Sequence, residues 1–580
     1  MSESPFQPMK AGGDETILDR IVRSRKQRLP QIRNLARDLK PAKSDRSLYD
    51  ALGGGKRGTA RMIMECKGAS PSLGLIRPNY NPAELAQVYA HYADAISVLC
   101  EPDYFGGDYA HLQAVRAVTS CPVLCKDFII DPAQLVVARH FGADAALLML
   151  SVLNDDQYRA LAQVANELGL DVLTEVASEA EADRAVGLGA RIVGINHRNL
   201  HDLSIDLSRS AHLATYFDDQ TVIVAESGIK NHHTLRTISP HVSAFLVGSQ
   251  LSGQPDVDKA CRELLFGASK VCGLTTVEAA QAALDGGAKF GGFIPVQGSP
   301  RFITATQAAG IARHVPGLDY VVVTRERDLD AISRLVQDFA FAFDSEDVAA
   351  PFAIQLHASS VSEDPQDELA WLRAVREVVP QGWQLWRALD LRAGAADLRA
   401  GDPAALSRTN ASAGGVLPLL LAEDVVDHVV ADSGGGSGEV FDWTTLPKDG
   451  REKILLAGGI GADNAAEALA LGAGGVDMNS RLEFDDAPAG RKSPEKIRQA
   501  FSAIHHPPAT ARPVVGGRRP AVVSPVDADH PPATASPVNG GRPPSVASPV
   551  DADHPQPPAS PGTGDPTSNI STSQEDAIND

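Results

Sequence analysis

The sequence predicts an α/β protein made of two consecutive (β/α)8 TIM barrels and a disordered, proline-rich C-terminal tail. Short runs of Val, Ile and Leu alternate with Ala-rich helical patterns, which is typical of repeated βα units. The alternation yields eight strands and then starts again and yields eight more. Each set occupies roughly the 250 residues of an ordinary barrel. A doubly wound sheet is the competing interpretation, but it usually has fewer strands and a GxGxxG turn, which neither half shows.

The predicted strands divide the chain into three parts. An extra amphipathic segment over 17–35 precedes the first set of strands and is able to cap one end of its barrel. The first set covers 61–65, 94–100, 122–126, 144–150, 171–175, 191–196, 221–225 and 244–248. The second set covers 268–273, 289–295, 319–323, 353–357, 384–389, 427–431, 453–458 and 475–479. We therefore expect domains over 1–266 and 267–506, followed by the tail over 507–580.

The tail contains an imperfect tandem repeat, 507–530 followed by 531–554. Sequence this rich in Pro, Ala, Ser and Gly cannot bury a core, so it is expected to be disordered with polyproline II character. One interpretation is a solvated tail that arose by local duplication. The other is a weak docking segment for proline-recognising domains.

Composition and charge exclude several classes of protein. The 53 basic and 73 acidic residues give a net charge of −20, which argues against a general nucleic-acid binder or anionic-membrane binder. Six cysteines without a CxxC pair predict neither a disulfide framework nor a metal site. Residues 1–14 lack the apolar core of a secretion signal, and no apolar stretch reaches spanning length. A reduced, cytoplasmic and monomeric protein is expected.

The strand ends of the first half carry an unusual density of acids and amines. Glu65 and Lys67 are two residues apart at the end of the first strand, so their side chains face the same space. Lys126 and Glu175 end the third and fifth strands. One such pair is more often a salt bridge between surface loops, but the recurrence favours acid/base chemistry, which needs opposed and mutually perturbing groups.

Phosphate-binding elements are predicted after the seventh and eighth strands of the first half. Phosphates bind at these two positions in this fold. Ser227 and Gly228 follow strand 7, and Gly248 and Ser249 follow strand 8. Their backbone N–H groups and hydroxyls suit a phosphomonoester.

The second half has a smaller set of candidate residues. Cys272 ends the first strand and is followed by glycine, so it is either a nucleophile or base, or a small buried hydrophobe. Asp432 ends the sixth strand, before a glycine-rich run over 433–438 that is either a flexible linker or, as the flanking segments favour, a structured loop. Arg301 follows the second strand and suits a substrate carboxylate. The loops that follow strands 7 and 8 again suit phosphate.

Four motifs of the first half resemble indole-3-glycerol-phosphate synthase over about residues 17–265. They are Glu-Cys-Lys-x-Ala-Ser-Pro-Ser, Cys-Lys-Asp-Phe-Ile-Ile-Asp, Gly-Ile-Asn-x-Arg-x-Leu and Glu-Ser-Gly-Ile. The resemblance implies that a carboxyphenylamino deoxyribulose phosphate closes its ring onto a ketone and loses carbon dioxide and water. Lys126 is implied as the general acid toward the ketone oxygen and Glu175 as the base in indole formation. Glu65 and Lys67 are implied to hold and protonate intermediates.

The same resemblance implies further contacts with the substrate. Asn196 and Arg198 are implied to position it. Leu73 departs from the family pattern, since many members carry a basic residue there. The full set of implied binding residues is Ser70, Phe128, Asn196, Arg198, Glu226, Ser227, Gly248 and Ser249.

The second half resembles phosphoribosylanthranilate isomerase over about residues 268–504. The resemblance implies that Cys272 is the general base and Asp432 the general acid of an Amadori rearrangement that opens the ribose ring and moves a proton from C2. Arg301 is implied to bind the anthranilate carboxylate. His357-Ala358 replaces the common His-Gly and Arg387 lies where Trp-Lys-Ala is common, departures able to alter substrate contacts. The phosphate is implied to lie near Gly459, Asn479 and Ser480.

The two resemblances explain each other, because the product of the isomerase is the substrate of the synthase. The whole chain thus resembles the bifunctional enzyme of tryptophan biosynthesis, which acts on small phosphorylated anthranilate sugars without a metal or organic cofactor. Three alternatives remain at this point. They are a pair of barrels acting on another phosphosugar, such as the analogous histidine-pathway step that usually uses paired aspartates; a non-catalytic scaffold; and an unrelated acid/base lyase.

Overall fold

The computed structural model describes two closed barrels in one continuous body. The described residues are 16–58, 60–199, 203–358, 364–391, 413–432, 443, 446–447 and 449–506. The tail over 507–580 and the glycine-rich run over 433–438 lie outside them, so the predictions made for these two segments stay predictions.

The first barrel contains every strand that the sequence predicts, with bounds that differ by one or two residues. The strands of this half are β1 (Arg61–Cys66), β2 (Ala69–Ser70), β3 (Gly74–Leu75), β4 (Ala95–Leu99), β5 (Val123–Lys126), β6 (Ala145–Met149), β7 (Asp171–Val176), β8 (Ile192–Asn196), β9 (Val222–Glu226) and β10 (Ala244–Val247). β1 and β4–β10 are parallel neighbours in chain order, and β10 pairs with β1 to close the barrel. β2 and β3 form a small antiparallel hairpin that was not predicted.

Apolar side chains fill the inside of the first barrel. Alternate strand residues such as Ile63, Leu124 and Leu173 point inward and form one buried cluster. Leu48 and Leu52, from a short helix that precedes β1, belong to the same cluster. The carboxylate of Asp171, the first residue of β7, accepts hydrogen bonds from the start of that helix. This helix therefore closes the amino end of the barrel, and the carboxyl end is left for chemistry.

Helices surround the first barrel, and several begin at a polar cap followed by proline. Asp131 accepts a hydrogen bond from the N–H of Ala133, 2.9 Å away, at the start of one of them; such a cap satisfies a donor that the first helical turn leaves free. The helices are α1 (Ile17–Ala36), α2 (Leu48–Ala51), α3 (Pro82–Tyr89), α4 (Pro102–Phe105), α5 (Tyr109–Arg116), α6 (Pro132–His140), α7 (Asp155–Glu167), α8 (Glu179–Gly187), α9 (Arg209–Leu213), α10 (His232–Ile238), α11 (Ser249–Ser252) and α12 (Val257–Phe266).

The leading helix α1 covers the carboxyl end of the first barrel, as its amphipathic pattern predicts. Its Arg25 is buried and forms an ion pair with Asp127, the residue after β5. The hydroxyl of Tyr109 donates to the same carboxylate over 2.6 Å. Leu18 of α1 packs against the interior cluster. A buried charge pair and an apolar contact thus hold α1 beside the strand end that carries Lys126.

The second barrel repeats this plan. Its strands are β11 (Lys270–Cys272), β12 (Phe290–Phe293), β13 (Asp319–Thr324), β14 (Ala353–Leu356), β15 (Gln384–Asp390), β16 (His428–Asp432), β17 (Ile454–Leu456) and β18 (Gly475–Met478). They are parallel and closed by the pairing of β11 with β18. Its helices are α13 (Val277–Gly286), α14 (Ala305–His314), α15 (Leu329–Ser345), α16 (Pro365–Val378), α17 (Ala413–Ala422), α18 (Ala465–Ala470) and α19 (Pro494–His505). The predicted fold class, tandem α/β barrels, is confirmed.

Helix α12 joins the two barrels and also packs between them. Its Arg262 is 1% exposed and donates to the carbonyl oxygens of Ala288 and Gly317 in the second barrel, over 2.6 and 2.9 Å. Phe266 lies edge-to-face with Phe501 of α19, with ring centroids 5.3 Å apart. The linker is therefore part of a packed interface. Among the described helices, none is long and apolar enough to cross a membrane.

Candidate active sites

A cavity of about 320 Å³ opens at the carboxyl end of the first barrel. Strand ends and the loops that follow them form its polar side, while Leu18 and Ile21 of α1 form part of its apolar side. Every site residue predicted in the first half lines this one cavity: Glu65, Lys67, Ser70, Lys126, Phe128, Glu175, Asn196, Arg198, Glu226, Ser227, Gly248 and Ser249.

The charged groups of the first cavity form two connected sets. Glu65 and Lys67 form an ion pair with each other. Lys126 forms an ion pair with Glu226, and its Nζ lies 3.7 Å from Oε2 of Glu175. Asn196 Nδ2 donates to the other oxygen of Glu175 over 3.1 Å. Two amines and three carboxylates thus surround one small space.

These groups change each other's proton affinity. Burial acts to lower the pKa of Lys126, but the nearby carboxylates of Glu226, Glu175 and Glu65 outweigh it and raise this pKa above its ordinary value. Burial raises the pKa of Glu226 to about 7, although Lys126 acts in the opposite direction. The cavity therefore holds a persistent ammonium donor beside a carboxyl group that titrates near neutral pH.

Two glycines make room for the carboxylates. A Cβ on Gly194 of β8 would collide with Oε1 of Glu226. A Cβ on Gly248, just after β10, would collide with Oε1 of Glu65 and lie 3.1 Å from Nζ of Lys67. Any larger residue at these two positions would displace the charged groups.

The loop after β9 has the backbone of an anion-binding turn. Ser227 has a φ of +68° and Gly228 a φ of +79°, a conformation costly for serine that clusters at functional sites. Buried His197 supports this loop, because its Nδ1 donates to the carbonyl oxygen of Ser227 over 2.9 Å. Its Nε2 accepts from the hydroxyl of Ser210 over 2.6 Å. Burial lowers the pKa of His197, which favours the neutral ring that these bonds require.

Sequence reasoning missed this support, because His197 occupies the variable position of Gly-Ile-Asn-x-Arg-x-Leu. A signal was available in its position directly after a barrel strand, at the carboxyl end where functional groups lie in this fold. Leu73, the departure noted above, is 56% exposed and does not line the cavity. Its backbone N–H donates to Ser70 Oγ, so it helps to shape the loop after β1.

A second cavity, of about 380 Å³, opens at the carboxyl end of the second barrel. Cys272 at the end of β11 and Asp432 at the end of β16 both line it. They come from the first and sixth strands of the ring. All the predicted residues of the second half line this cavity: Cys272, Arg301, Asp432, Gly459, Asn479 and Ser480.

Neighbouring polar groups orient the side chains of the second cavity. Nε2 of His357 lies 3.2 Å from Oδ2 of Asp432. Glu483 Oε1 accepts from Nε of Arg301 over 2.6 Å and from Nζ of Lys492 over 2.8 Å. Lys492 also donates to Oδ1 of Asn479 over 2.7 Å. The buried carboxylate of Glu483 thus connects Arg301 to Lys492, and through Lys492 to Asn479 after β18.

The loop after β17 of the second barrel has the same backbone feature as the loop after β9 of the first. Gly458 and Gly459, after β17, have φ of +80° and +64°. Asn464 and Arg481 donate to the carbonyl oxygen of Gly459 over 2.9 and 3.0 Å. Successive N–H groups in such a turn form a concave binding site for anions.

Sequence reasoning missed part of the second cavity and misread one residue. Gln355, Asp477 and Arg325 also line this cavity, and buried Lys270 donates to Gln355 and Asp477. Arg387 was expected to affect substrate contacts. Its side chain instead donates to Glu368 of α16 over 2.8 Å, and it is absent from the cavity lining.

Within the described ranges, no cluster of three His, Cys, Asp or Glu could hold a metal ion.

Two family models match the chain, one for each barrel. The model for indole-3-glycerol phosphate synthase matches residues 18–264. The model for N-(5'-phosphoribosyl)anthranilate isomerase matches residues 269–394 and 409–503. Each match covers the strands that carry the cavity of its barrel.

Several curated relatives match across both barrels. The tryptophan biosynthesis protein TrpCF of Corynebacterium glutamicum is 48% identical and spans 84% of this chain and 98% of its own length. The TrpCF proteins of Yersinia pestis and Haemophilus influenzae are 41% and 39% identical and each span 80% of this chain, with 87% and 90% of their own lengths covered. The chain therefore belongs to the TrpCF family of bifunctional tryptophan-biosynthesis enzymes, in which an indole-3-glycerol-phosphate synthase precedes a phosphoribosylanthranilate isomerase.

Proposed function

We propose that each reaction of this bifunctional enzyme is performed by the side chains that converge in the cavity of its own barrel. Phosphoribosylanthranilate would be rearranged in the second barrel, and its product would be closed to indoleglycerol phosphate in the first. The observation that carries this proposal is the convergence of the predicted acids and bases in two separate cavities. We place the two catalytic domains at 1–266 and 267–506, because α12 ends at Phe266 and β11 begins at Lys270.

In the second barrel, Asp432 donates a proton to the ring oxygen of the ribose, and His357 at 3.2 Å orients its carboxyl group. The ring opens to an iminium. Cys272 then removes the proton from C2, the C–H electrons form the enolamine, and the ketone follows. Arg301, fixed by Glu483, is suited to the anthranilate carboxylate because a guanidinium pairs with carboxylates in a fixed geometry. The turn at Gly459, with Asn479 and Ser480, is suited to the phosphate.

In the first barrel, Lys126 donates to the ketone oxygen as the ring closes onto its carbon. The carboxylates around this ammonium keep it protonated until the oxygen gains negative charge. Carbon dioxide leaves, and the electrons of its bond restore the aromatic ring. Lys67 and Glu65 hold the intermediate and protonate the hydroxyl that the ketone has become, which leaves as water. Glu175, held by Asn196, removes the proton that completes the indole. Glu226 also lines this cavity and holds the ammonium of Lys126 in place.

The remaining residues of the first cavity bind and orient the substrate. Ser70, Ser227, Gly248 and Ser249 surround the phosphate position beside the left-handed turn. Phe128 and Arg198 lie along the wall where the aromatic ring and its carboxylate would lie. Each cavity draws its acid and its base from one barrel of one chain, which supports a monomeric enzyme. Its small phosphorylated substrates support a place in the cytoplasm.

The proposal is tested by assaying both reactions in two point variants. Cys272→Ala should abolish the isomerase reaction alone, and Lys126→Ala the synthase reaction alone, with losses of about 10²–10⁴-fold or more. Cys121→Ala and Lys26→Ala are matched controls outside both cavities. Loss of both reactions from either variant with an intact fold, or full activity in both variants, would contradict the assignment of two independent sites.

A further inference from the structure

The second barrel contains an ion pair at the base of its cavity, where Asp477 lines the cavity and Lys270 lies behind it. Lys270 is fully buried, and its Nζ lies 2.7 Å from Oδ2 of Asp477. It also donates to Oε1 of Gln355, and it lies 5.6 Å from the ring centroid of Trp386. Strands β11, β14, β15 and β18 thus hold one ammonium group in the interior of the barrel.

Lys270 and Cys272 face the same side of β11, because they are two residues apart on one strand. A Cβ on Gly292 of the neighbouring strand would lie 2.8 Å from Sγ of Cys272 and 2.9 Å from Cε of Lys270. The sulfur and the lysine side chain therefore flank the same point of the backbone. The ammonium lies one layer below the thiol.

The first barrel shows that the fold does not need a charge in this layer. Two residues before Glu65, at the matching point of its first strand, the inward side chain is Ile63, which belongs to an apolar cluster. Barrel interiors are usually filled by branched apolar side chains. A buried ion pair is weak evidence for stability, because desolvation offsets the attraction. Oδ1 of Asp477 is buried without a hydrogen-bond partner in the described residues, so the pair is not fully compensated.

The charges that face Cys272 come from four elements. Lys270 on β11, Lys492 before α19 and Arg301 after β12 are cationic, and Asp477 on β18 is anionic. Burial raises the pKa of the Cys272 thiol, Lys270 opposes this most strongly, and Asp477 adds to it. A thiolate is the form of cysteine that accepts a proton. A cation close to a buried thiol stabilises the thiolate by its charge and so makes the sulfur a better base.

We propose that Lys270 is a positioning residue of the isomerase reaction, whose ammonium, held by Asp477 and Gln355, stabilises the thiolate of Cys272. This inference rests on the proposed role of Cys272 as the base. In the step concerned, the sulfur takes the C2 proton and becomes a thiol. The electrons of the C–H bond form the carbon–carbon double bond of the enolamine, and the iminium nitrogen accepts the displaced pair. The ammonium of Lys270 loses no proton.

The test compares Lys270→Met with the wild-type full-length chain. The alkylation rate of Cys272 by iodoacetamide, followed by mass spectrometry of its peptide from pH 6 to 10, reports the thiolate directly. We expect its midpoint to rise by about 1–3 pH units in the variant, as removal of a neighbouring opposite charge does; this rise is measured as an alkylation rate that is about 10–1000-fold lower at each pH below the midpoint. Isomerase kcat/KM should fall by about 10–100-fold at neutral pH and recover toward high pH. An unchanged midpoint, or a loss that is equal at every pH, would overturn the proposal.

A second variant keeps the test decisive if Lys270→Met leaves Asp477 unpaired and unfolds the barrel. Lys270→Met/Asp477→Leu removes both charges and leaves an apolar core. It should shift the alkylation midpoint in the same direction by a smaller amount, because Asp477 opposes Lys270. The reference for this variant is Asp477→Leu alone: equal alkylation midpoints and equal isomerase profiles in the two would refute the role of Lys270. The synthase reaction of the same chain reports that the rest of the protein is folded.

The alkylation profile also separates this inference from the assignment on which it rests. If Cys272→Ala retains isomerase activity, the proposed base is wrong. The shift in the alkylation midpoint would still decide whether Lys270 stabilises the thiolate.

Discussion

The two barrels share one fold but place their charges at different depths. In the first barrel, the ammonium groups and carboxylates lie at the strand ends, in the cavity wall, above an apolar interior. In the second barrel, only one thiol and one carboxyl group are proposed as base and acid, and an ion pair lies below them. Ring closure with loss of carbon dioxide and water needs several proton transfers, whereas an Amadori rearrangement needs one acid and one base. The groups proposed as acids and bases are thus more numerous in the barrel whose reaction has more proton transfers.

Both substrates carry a phosphate, and the two barrels share one backbone turn at the place proposed to bind it. After strand 7 of each barrel, two successive residues have positive φ: Ser227 and Gly228 in the first, Gly458 and Gly459 in the second. In both, a side chain donates to a carbonyl oxygen of the turn, from His197 and from Asn464. The shared element is therefore the backbone conformation, while the side chains that hold it differ.

The strongest test of this comparison uses one glycine from each barrel. Gly248→Ala should displace the Glu65–Lys67 pair, and Gly292→Ala should displace Cys272 and Lys270. Because misplacement of a reacting group by about 1 Å can cost 10²-fold, each variant should lose up to about that factor in kcat of its own reaction only. Gly187→Ala and Gly310→Ala, which meet no atom within 4 Å, are matched controls for the two barrels. A loss that crosses from one barrel to the other would show that the sites are coupled.

A smaller effect is expected from the pH dependence of stability. The pKa of Glu226 is about 7 in the folded protein, against an ordinary value of 4.5. Since the folded state binds this proton more tightly, the stabilisation is complete below pH 4.5 and is lost as the pH rises through about 7. Glu226→Gln should remove this loss. Urea denaturation of both proteins between about pH 5 and pH 8 measures the difference in slope.

The exposed substitution Glu278→Gln in the second barrel is the control for that experiment. It should leave the pH dependence of the wild-type protein unchanged. Equal slopes for wild type and Glu226→Gln would show that Glu226 titrates in its ordinary range.

The smallest effect is expected from removal of the tail. Deletion of 507–580 should leave the turnover of both reactions unchanged, because all the residues that line either cavity precede it. Steady-state assays of both steps, beside the full-length chain, measure this. A large fall in either rate would mean that the tail contributes to a site.

The sequence predicted the barrels well because inward and outward residues alternate along each strand, a local property. It also predicted the first cavity well, because Glu65 and Lys67 share a face and strand ends of a closed barrel meet. The same alternation relates Lys270 to Cys272 and Gln355 to His357. A buried lysine, however, is interpretable only together with its partners. Those partners, Gln355 and Asp477, are 85 and 207 residues away in the chain.

The hairpin of β2 and β3 and the orientation of Arg387 escaped prediction for a similar reason. The hairpin has two residues in each strand, too few for a periodic signal. Arg387 alternates with inward residues of β15 and so points outward, where it forms an ion pair with buried Glu368 and its guanidinium lies 5.7 Å from the ring centroid of Trp371. A shift of one residue along the strand would reverse the direction of this side chain, and a comparison of motifs does not fix which residues of the strand point inward.

The buried guanidinium of Arg262 has a consequence for the evolution of a fused gene. A chain cut after α12 would leave this cation without the carbonyl oxygens of Ala288 and Gly317, and would expose Phe266 and Phe501 to water. Each half would then expose an apolar surface that favours aggregation, and the first half would also expose an uncompensated charge. Fission into two separate enzymes would therefore require compensating substitutions on both sides of the cut. The fusion of the two genes is thus difficult to reverse in evolution.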